Sequence, residues 1–308
     1  MRFPRLSGRV VLAPMAGVTD AAFRHICREY GASLAYTEFI SSAALSRGGE
    51  KIRRMLRIIN EKPSACQIFG SNEKELLKAA ETLEKDFDII DINLGCPADK
   101  VVRTGSGSSL LKDEKKVERI LRTIIPSLKK PVTIKTRLGF KSVNIFEIVK
   151  IAEKAGVAAV TVHGRLASQG YNVRADWDTI KKVKANSSLP IIGNGDIDSP
   201  EKAMEKLYES NVDYIMVGRA AIGNPYIFRQ INDYLKNGEY DKYEAAGKIK
   251  DFFRYVALAE KLDLSLPRIR NQAVFFSKGI RNSAIIRKKL SAAKTLEDIK
   301  SLFKLINH

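Results

Sequence analysis

A chain of 308 residues, 44% of them hydrophobic, can fill one barrel-sized core and carry a small appendage, which excludes a disordered polypeptide or a stapled miniprotein. Its formal charge of +18 and pI of about 9.7 exceed what solubility needs and point to a polyanionic partner. Three cysteines (Cys27, Cys66 and Cys96) without paired or zinc-like spacing argue against a disulfide framework or a metal centre, and no apolar run approaches the ~20 residues that cross a bilayer, so a cytoplasmic protein without metal or membrane partner is expected.

Eight short apolar runs recur along the chain, over residues 10–16, 32–40, 64–69, 87–94, 132–136, 158–163, 190–193 and 213–218. Between them lie segments with helical apolar spacing, such as 21–30, 73–85, 115–128, 145–155 and 201–209. Alternating near-continuous strands and amphipathic helices predict an α/β fold, a (β/α)8 TIM barrel, with an open doubly wound sheet as the rival. The barrel places its chemistry at the carboxyl ends of the strands, and polar residues fall there. The first run ends in Pro14, Met15 and Ala16, the third carries Gln67, and the fourth ends in Asn93, Gly95 and Cys96. Lys135, His163, then Asn194, Gly195 and Asp196, and finally Gly218 and Arg219 close the fifth to eighth. After Tyr240 the strand signals stop, and residues 241–308 read as amphipathic helices with 15 Lys or Arg against 7 Asp or Glu. The expected division is a barrel domain over 1–240 and a basic helical domain over 241–308.

Cys96 ends a buried apolar strand within a loop broken by Gly95, Pro97, Gly105 and Gly107. An ordinary thiol titrates near pH ~8.5, so it would be protonated at neutral pH and able to act as a general acid. It could also be a nucleophile, with His163 as the only well-placed base. Lys135 would point into the barrel mouth, where an ammonium needs an anion or an electron-rich ring such as a flavin, or else an internal ion pair with Asp91. Gln67 and Asn93 offer amides along the edge of such a ring. The glycines on the last two strands suit a phosphate, with Arg219 as a bidentate partner, unless they serve only as turns.

Together these residues resemble the tRNA-dihydrouridine synthases over nearly the whole chain. The most specific stretch is 90–108, with Asn93, Gly95, Cys96, Pro97, Val101 and Gly107, and residues 13–20, 135–137, 163–165, 194–196 and 218–219 follow in the family's order. The resemblance implies FMN held by Pro14, Met15, Ala16, Gln67, Asn93, Lys135, His163, Asn194, Gly195, Asp196, Gly218 and Arg219. NADPH or NADH would reduce it. Hydride would pass from flavin N5 to uracil C6 in tRNA, with Cys96 protonating C5. The expected tRNA contacts are Lys51, Arg53, Arg54, Arg57, Lys100, Arg103, Arg268, Arg270, Arg281, Arg287, Lys288 and Lys289, with no obligate protein partner. Deleting the residues after Tyr240 is expected to weaken tRNA binding while leaving the flavin bound. The competing readings are a small-pyrimidine dehydrogenase of the dihydroorotate type, which has no use for a basic tail, and a tRNA-binding chaperone that lacks chemistry.

Overall fold

A computed structural model describes residues 1–280 and 283–305. Eight parallel strands form one sheet: β1 (Val10–Leu12), β2 (Ile40–Ser41), β3 (Ala65–Phe69), β4 (Ile89–Asn93), β5 (Val132–Gly139), β6 (Ala159–Leu166), β7 (Ile191–Asn194) and β8 (Tyr214–Val217). Their order is β1-β8-β7-β6-β5-β4-β3-β2. The sheet curls shut through single bridges, Leu12 to Ala35 and Tyr36 to Ala65, so the second apolar run is used twice. Residues 34–36 close the barrel, and β2 pairs with the end of β3. This is the TIM-barrel architecture that alternating apolar runs imply, because a parallel sheet covered by helices on its outside must be apolar throughout.

The covering helices are α1 (Ala21–Glu29), α2 (Ser42–Arg47), α3 (Glu50–Met55), α4 (Glu73–Leu83), α5 (Asp99–Val102), α6 (Glu114–Ile124), α7 (Ile145–Ala155), α8 (Trp177–Ala185), α9 (Pro200–Ser210) and α10 (Ile227–Asn237). Each long one presents an apolar stripe to the sheet. In α6 the buried residues are Val117, Ile120, Leu121 and Ile124, the i, i+3, i+4, i+7 spacing of one helical face, and Asp113 caps the first turn through the Lys116 amide.

The tail is helical as expected: α11 (Ala245–Lys261), α12 (Leu266–Phe276), α13 (Ser283–Ala292) and α14 (Leu296–Lys304). Phe252 stacks on Phe303 with centroids 3.8 Å apart, and Phe276 meets Phe23 of α1 edge-on at 6.4 Å. The core is therefore continuous from the barrel helices into the tail. No helix among the described residues is long and apolar enough to cross a membrane.

Candidate active site

A cavity of about 1140 Å³ opens at the carboxyl ends of the strands, larger than most small-molecule sites. Cys96, Asn93, Lys135, His163, Asn194, Gly195, Asp196, Gly218, Arg219, Pro14, Met15 and Ala16 all line it. Strand register explains the pairs, with Asn93 level with Lys135 and His163 with Arg137 and Asn194, and the Lys135 side chain reaches Asn194 to join them at the barrel mouth.

The wall at β4 and β5 holds the thiol. Asn93 Oδ1 accepts the amides of Gly95 (3.1 Å) and Cys96 (2.9 Å), an Asx turn that bends the chain over the strand end. Asn93 Nδ2 donates to Gln67 Oε1 (2.9 Å), Gln67 Nε2 donates to Asp91 Oδ2 (2.7 Å), and Thr133 Oγ1 donates to Asp91 Oδ1 (2.5 Å). Burial raises the Asp91 carboxyl to about 6 despite these donors. Arg137 Nε donates to Gly95 O (3.0 Å), and the Ser108 amide to Cys96 O (3.0 Å). Gly107, at φ +57°, lies so close that a Cβ would sit 2.8 Å from Cys96 O, so only glycine fits.

Half-buried, the Cys96 thiol is pushed up by desolvation, against the pull of the Ala98 amide, Arg137 and Lys135. It is a protonated thiol facing the cavity. Cys27 and Cys66 are fully buried and do not line the cavity, and burial pushes the Cys66 thiol to about 12.

Lys135 Nζ donates to Asn194 Oδ1 (3.0 Å), and Asn194 Nδ2 donates to Met216 O (2.8 Å), which fixes which way the amide faces. Among the described residues no ion pair joins Lys135 to Asp91, and burial together with Arg137 lowers the ammonium to about 8. The His163 imidazole is lowered to about 2 by burial and by Lys135, Arg137, Arg165 and Arg219. Arg165 Nη1 lies 3.0 Å from its Nε2, and a guanidinium can only donate, so the ring proton sits on Nδ1. A neutral imidazole of that basicity cannot serve as the base for a Cys96 nucleophile.

The wall at β7 and β8 is built differently. Among the described residues the backbone amides of Gly195, Asp196, Gly218 and Arg219 donate to no protein acceptor, leaving four donors around one end of the cavity. Gly195 has φ +131°, and a Cβ there would stand 2.6 Å from Ala175 Cβ. Asp196 accepts Arg165 Nη2 on both oxygens (2.6 and 2.7 Å), Arg219 Nη2 (2.9 Å) and the Ala175 amide (2.8 Å). Burial would raise its pKa, but Arg165 and that amide hold it below the usual carboxylate range. Arg219 also stacks on the Tyr171 ring at 4.3 Å. Seven lysine and arginine side chains, Lys135, Arg137, Arg165 and Arg219 among them, line the cavity against three carboxylates, Asp196, Asp198 and Glu205, so this mouth favours an anion.

Two expected site residues sit elsewhere. Gln67 is fully buried beneath Asn93, level with Asp91, and does not line the cavity. Arg268 pairs inward with Glu38, so its charge is not free for RNA. Arg54 is held by Glu50 (3.3 Å) and Asp263 (2.5 Å), Arg57 lies 3.8 Å from Glu50, and Arg270 donates to Ala293 O (3.2 Å). Arg53, Lys100, Arg103, Lys288 and Lys289 are exposed, and Arg287 is half-buried on α13. Lys51 lies in α3 with its side chain outside the described residues, and Arg281 lies outside them altogether. Arg137, Arg165 and Tyr171 also line the cavity, and the sequence signals only the two arginines, by their place beside Lys135 and His163.

A family model described as dihydrouridine synthase matches residues 11–306. A tRNA-dihydrouridine synthase B of Pseudomonas aeruginosa is 42% identical over 239 residues, 76% of this chain and 72% of the relative. A probable tRNA-dihydrouridine synthase of Rickettsia conorii is 39% identical over 92% of this chain and 88% of the relative. Among solved structures, histamine dehydrogenase from Rhizobium sp. 4-9 matches with a TM-score of 0.58 at 14% identity, over 82% of this chain and 49% of that one. A 2-naphthoyl-CoA reductase matches with the same score and identity, over 74% of this chain and 50% of that one. The chain thus spans about half the length of these two structures, and the likeness is one of fold.

Proposed function

Because this chain belongs to the dihydrouridine synthase family, we propose that it reduces the C5–C6 double bond of particular uridines in tRNA, using FMN with NADPH or NADH as reductant. The observation that carries the reading is a protonated, half-buried thiol whose flanking backbone is held by Asn93, Arg137 and the Ser108 amide, across one cavity from four open backbone amides.

The residues present fit a flavin mononucleotide. Open amides of Gly195, Asp196, Gly218 and Arg219 suit its phosphate, with the remaining Arg219 donors beside them. Pro14, Met15 and Ala16 would border the ring system, with Lys135, Asn194 and His163 across from them. Gln67 supports Asn93 from below. Bound there, the flavin supplies the hydride that goes to C6.

Cys96 holds the proton destined for C5 at Sγ. Its raised pKa keeps that proton in place until the carbon becomes basic enough to take it. The thiolate left behind is stabilised by the fields of Arg137 and Lys135. Partial exposure lets solvent restore the proton. Lys135, with its pKa near 8, is mostly charged at neutral pH and stabilises negative charge on a ring lying against it.

A uridine must leave its stack to reach the barrel mouth, and tRNA would be held largely through phosphates by the excess positive charge. We assign the catalytic role to residues 1–240 and RNA binding to 241–308 together with Arg53, Lys100 and Arg103. The test is nucleoside mass spectrometry of unmodified tRNA after incubation with the protein, FMN and NADPH. A gain of about two mass units on one uridine, as addition of hydride and proton requires, supports the reading; turnover of free pyrimidines without any change in tRNA would replace it with the small-molecule dehydrogenase.

A further inference from the structure

The segment between β1 and α1 supplies Ala13, Pro14, Met15, Ala16 and Val18 to the cavity. Locally it is a turn closed on Met15: the amides of Val18 (3.1 Å) and Thr19 (3.0 Å) donate to Met15 O. Besides bonds within the barrel, such as the Met15 amide to Thr19 Oγ1 (3.0 Å) and the Ala13 amide to Val217 O (2.8 Å), three ties reach this segment from the tail, one of them through Glu38. The Gly17 amide donates to Glu38 Oε2 (2.5 Å), and Glu38 Oε1 accepts from Arg268 of α12. Val18 O accepts Gln272 Nε2 of α12 (2.8 Å). Asp20 caps α1 through the Phe23 amide (3.0 Å), and its other oxygen accepts Tyr255 Oη of α11 (3.0 Å).

These ties lie inside the protein. Asp20, Glu38, Tyr255 and Gln272 are all buried. Gln272 is the most telling, because it is fully buried and its Oε1 has no partner. A leucine would sit there at lower cost, so the amide is explained by the one bond it makes, to a carbonyl of the cavity loop. A helical appendage that served RNA alone would need polar groups only on its outer face.

We infer that Arg268, Gln272 and Tyr255 are positioning residues of the cofactor site: α11 and α12 hold the 14–18 loop in the shape that makes one wall of the cavity, so the tail and the flavin site form a single unit. The inference rests on the flavin reading above. It reverses the expectation that the tail can be removed with the flavin left in place, and it gives Arg268 a role within the protein in place of an RNA contact.

The test uses the full-length chain freed of flavin, with Arg268→Met, Gln272→Met, Arg268→Lys and the double variant Arg268→Met/Glu38→Gln. Three quantities are read: the affinity for added FMN, hydrogen exchange of the peptide covering 14–19, and the salt dependence of tRNA binding. Arg268→Met and Gln272→Met are each expected to weaken FMN binding about tenfold and to speed exchange in the loop. Arg268→Lys should recover most of the loss, and the double variant should be no worse than Arg268→Met alone, since both changes break one chain of contacts. Gln272→Met keeps the core volume and guards against simple unfolding. Unchanged FMN affinity and unchanged exchange in both single variants would overturn the inference. A tRNA salt slope reduced by about one in Arg268→Met, with FMN binding intact, would overturn it in favour of a phosphate contact. If the unaltered chain binds no FMN, the flavin reading fails instead, and exchange across 14–19 alone decides whether the tail holds the loop.

Discussion

The two walls of the cavity solve opposite problems with the same kinds of group. At β4 and β5 the polar chain from Thr133 through Asp91, Gln67 and Asn93 ends on the backbone of Cys96, with each link already engaged by the protein. At β7 and β8 four backbone amides are left open, and the Asp196 carboxylate among them is held by Arg165 and Arg219. A wall whose polar chain is engaged from end to end holds a reacting group still. A wall with open donors receives a ligand. The comparison teaches that the thiol side should be sensitive in rate and the glycine side in affinity.

The largest separation comes from Cys96→Ala, which should lower dihydrouridine formation by about 10²–10⁴-fold, the usual reach of a positioned acid, while FMN affinity is unchanged. Equal losses in both would erase the distinction between the walls. Gly195→Ala acts on the other side: its Cβ would collide with Ala175 from a backbone at φ +131°. Titration with FMN should show binding weakened by about ten- to a hundredfold, with Cys96 alkylated at its normal rate.

Asn93→Ala tests whether the Asx turn is what places the thiol. Removing it frees the Gly95 and Cys96 amides and should cut the rate of tRNA reduction about tenfold while speeding alkylation of Cys96. The smallest effect is a pH dependence. Lys135 is charged below its pKa of about 8 and loses that charge as pH rises through it. The affinity of the flavin-free chain for FMN should therefore be flat below pH 7 and fall severalfold between pH 7 and 9. Lys135→Arg, which stays charged, should remove that step.

Much of this arrangement was legible before the fold was known. Apolar runs and the polar residues ending them place Cys96, Lys135 and Asn194 at one barrel mouth, because period-two strands and the barrel leave few alternatives. Depth was not legible in the same way. Alternation puts Gln67 inside the barrel, but only the pairing of Gln67 with Asp91 shows that it lies a level below Asn93. Partners far apart in sequence were hidden too. Nothing near Arg268 signals Glu38, 230 positions away, so a buried ion pair reads as a surface charge. The run over 32–40 divides because its first half closes the barrel while its end pairs with β3, and hydrophobicity alone does not distinguish the two.

The most direct test of the assignment of Cys96 separates the two half-reactions in Cys96→Ala by stopped-flow absorbance at the flavin band. NADPH should bleach the bound flavin at the rate of the unaltered protein, and added tRNA should then fail to restore the colour within many turnovers of the unaltered enzyme. Recovery at the normal rate would contradict the account and remove the proton-donor role from Cys96.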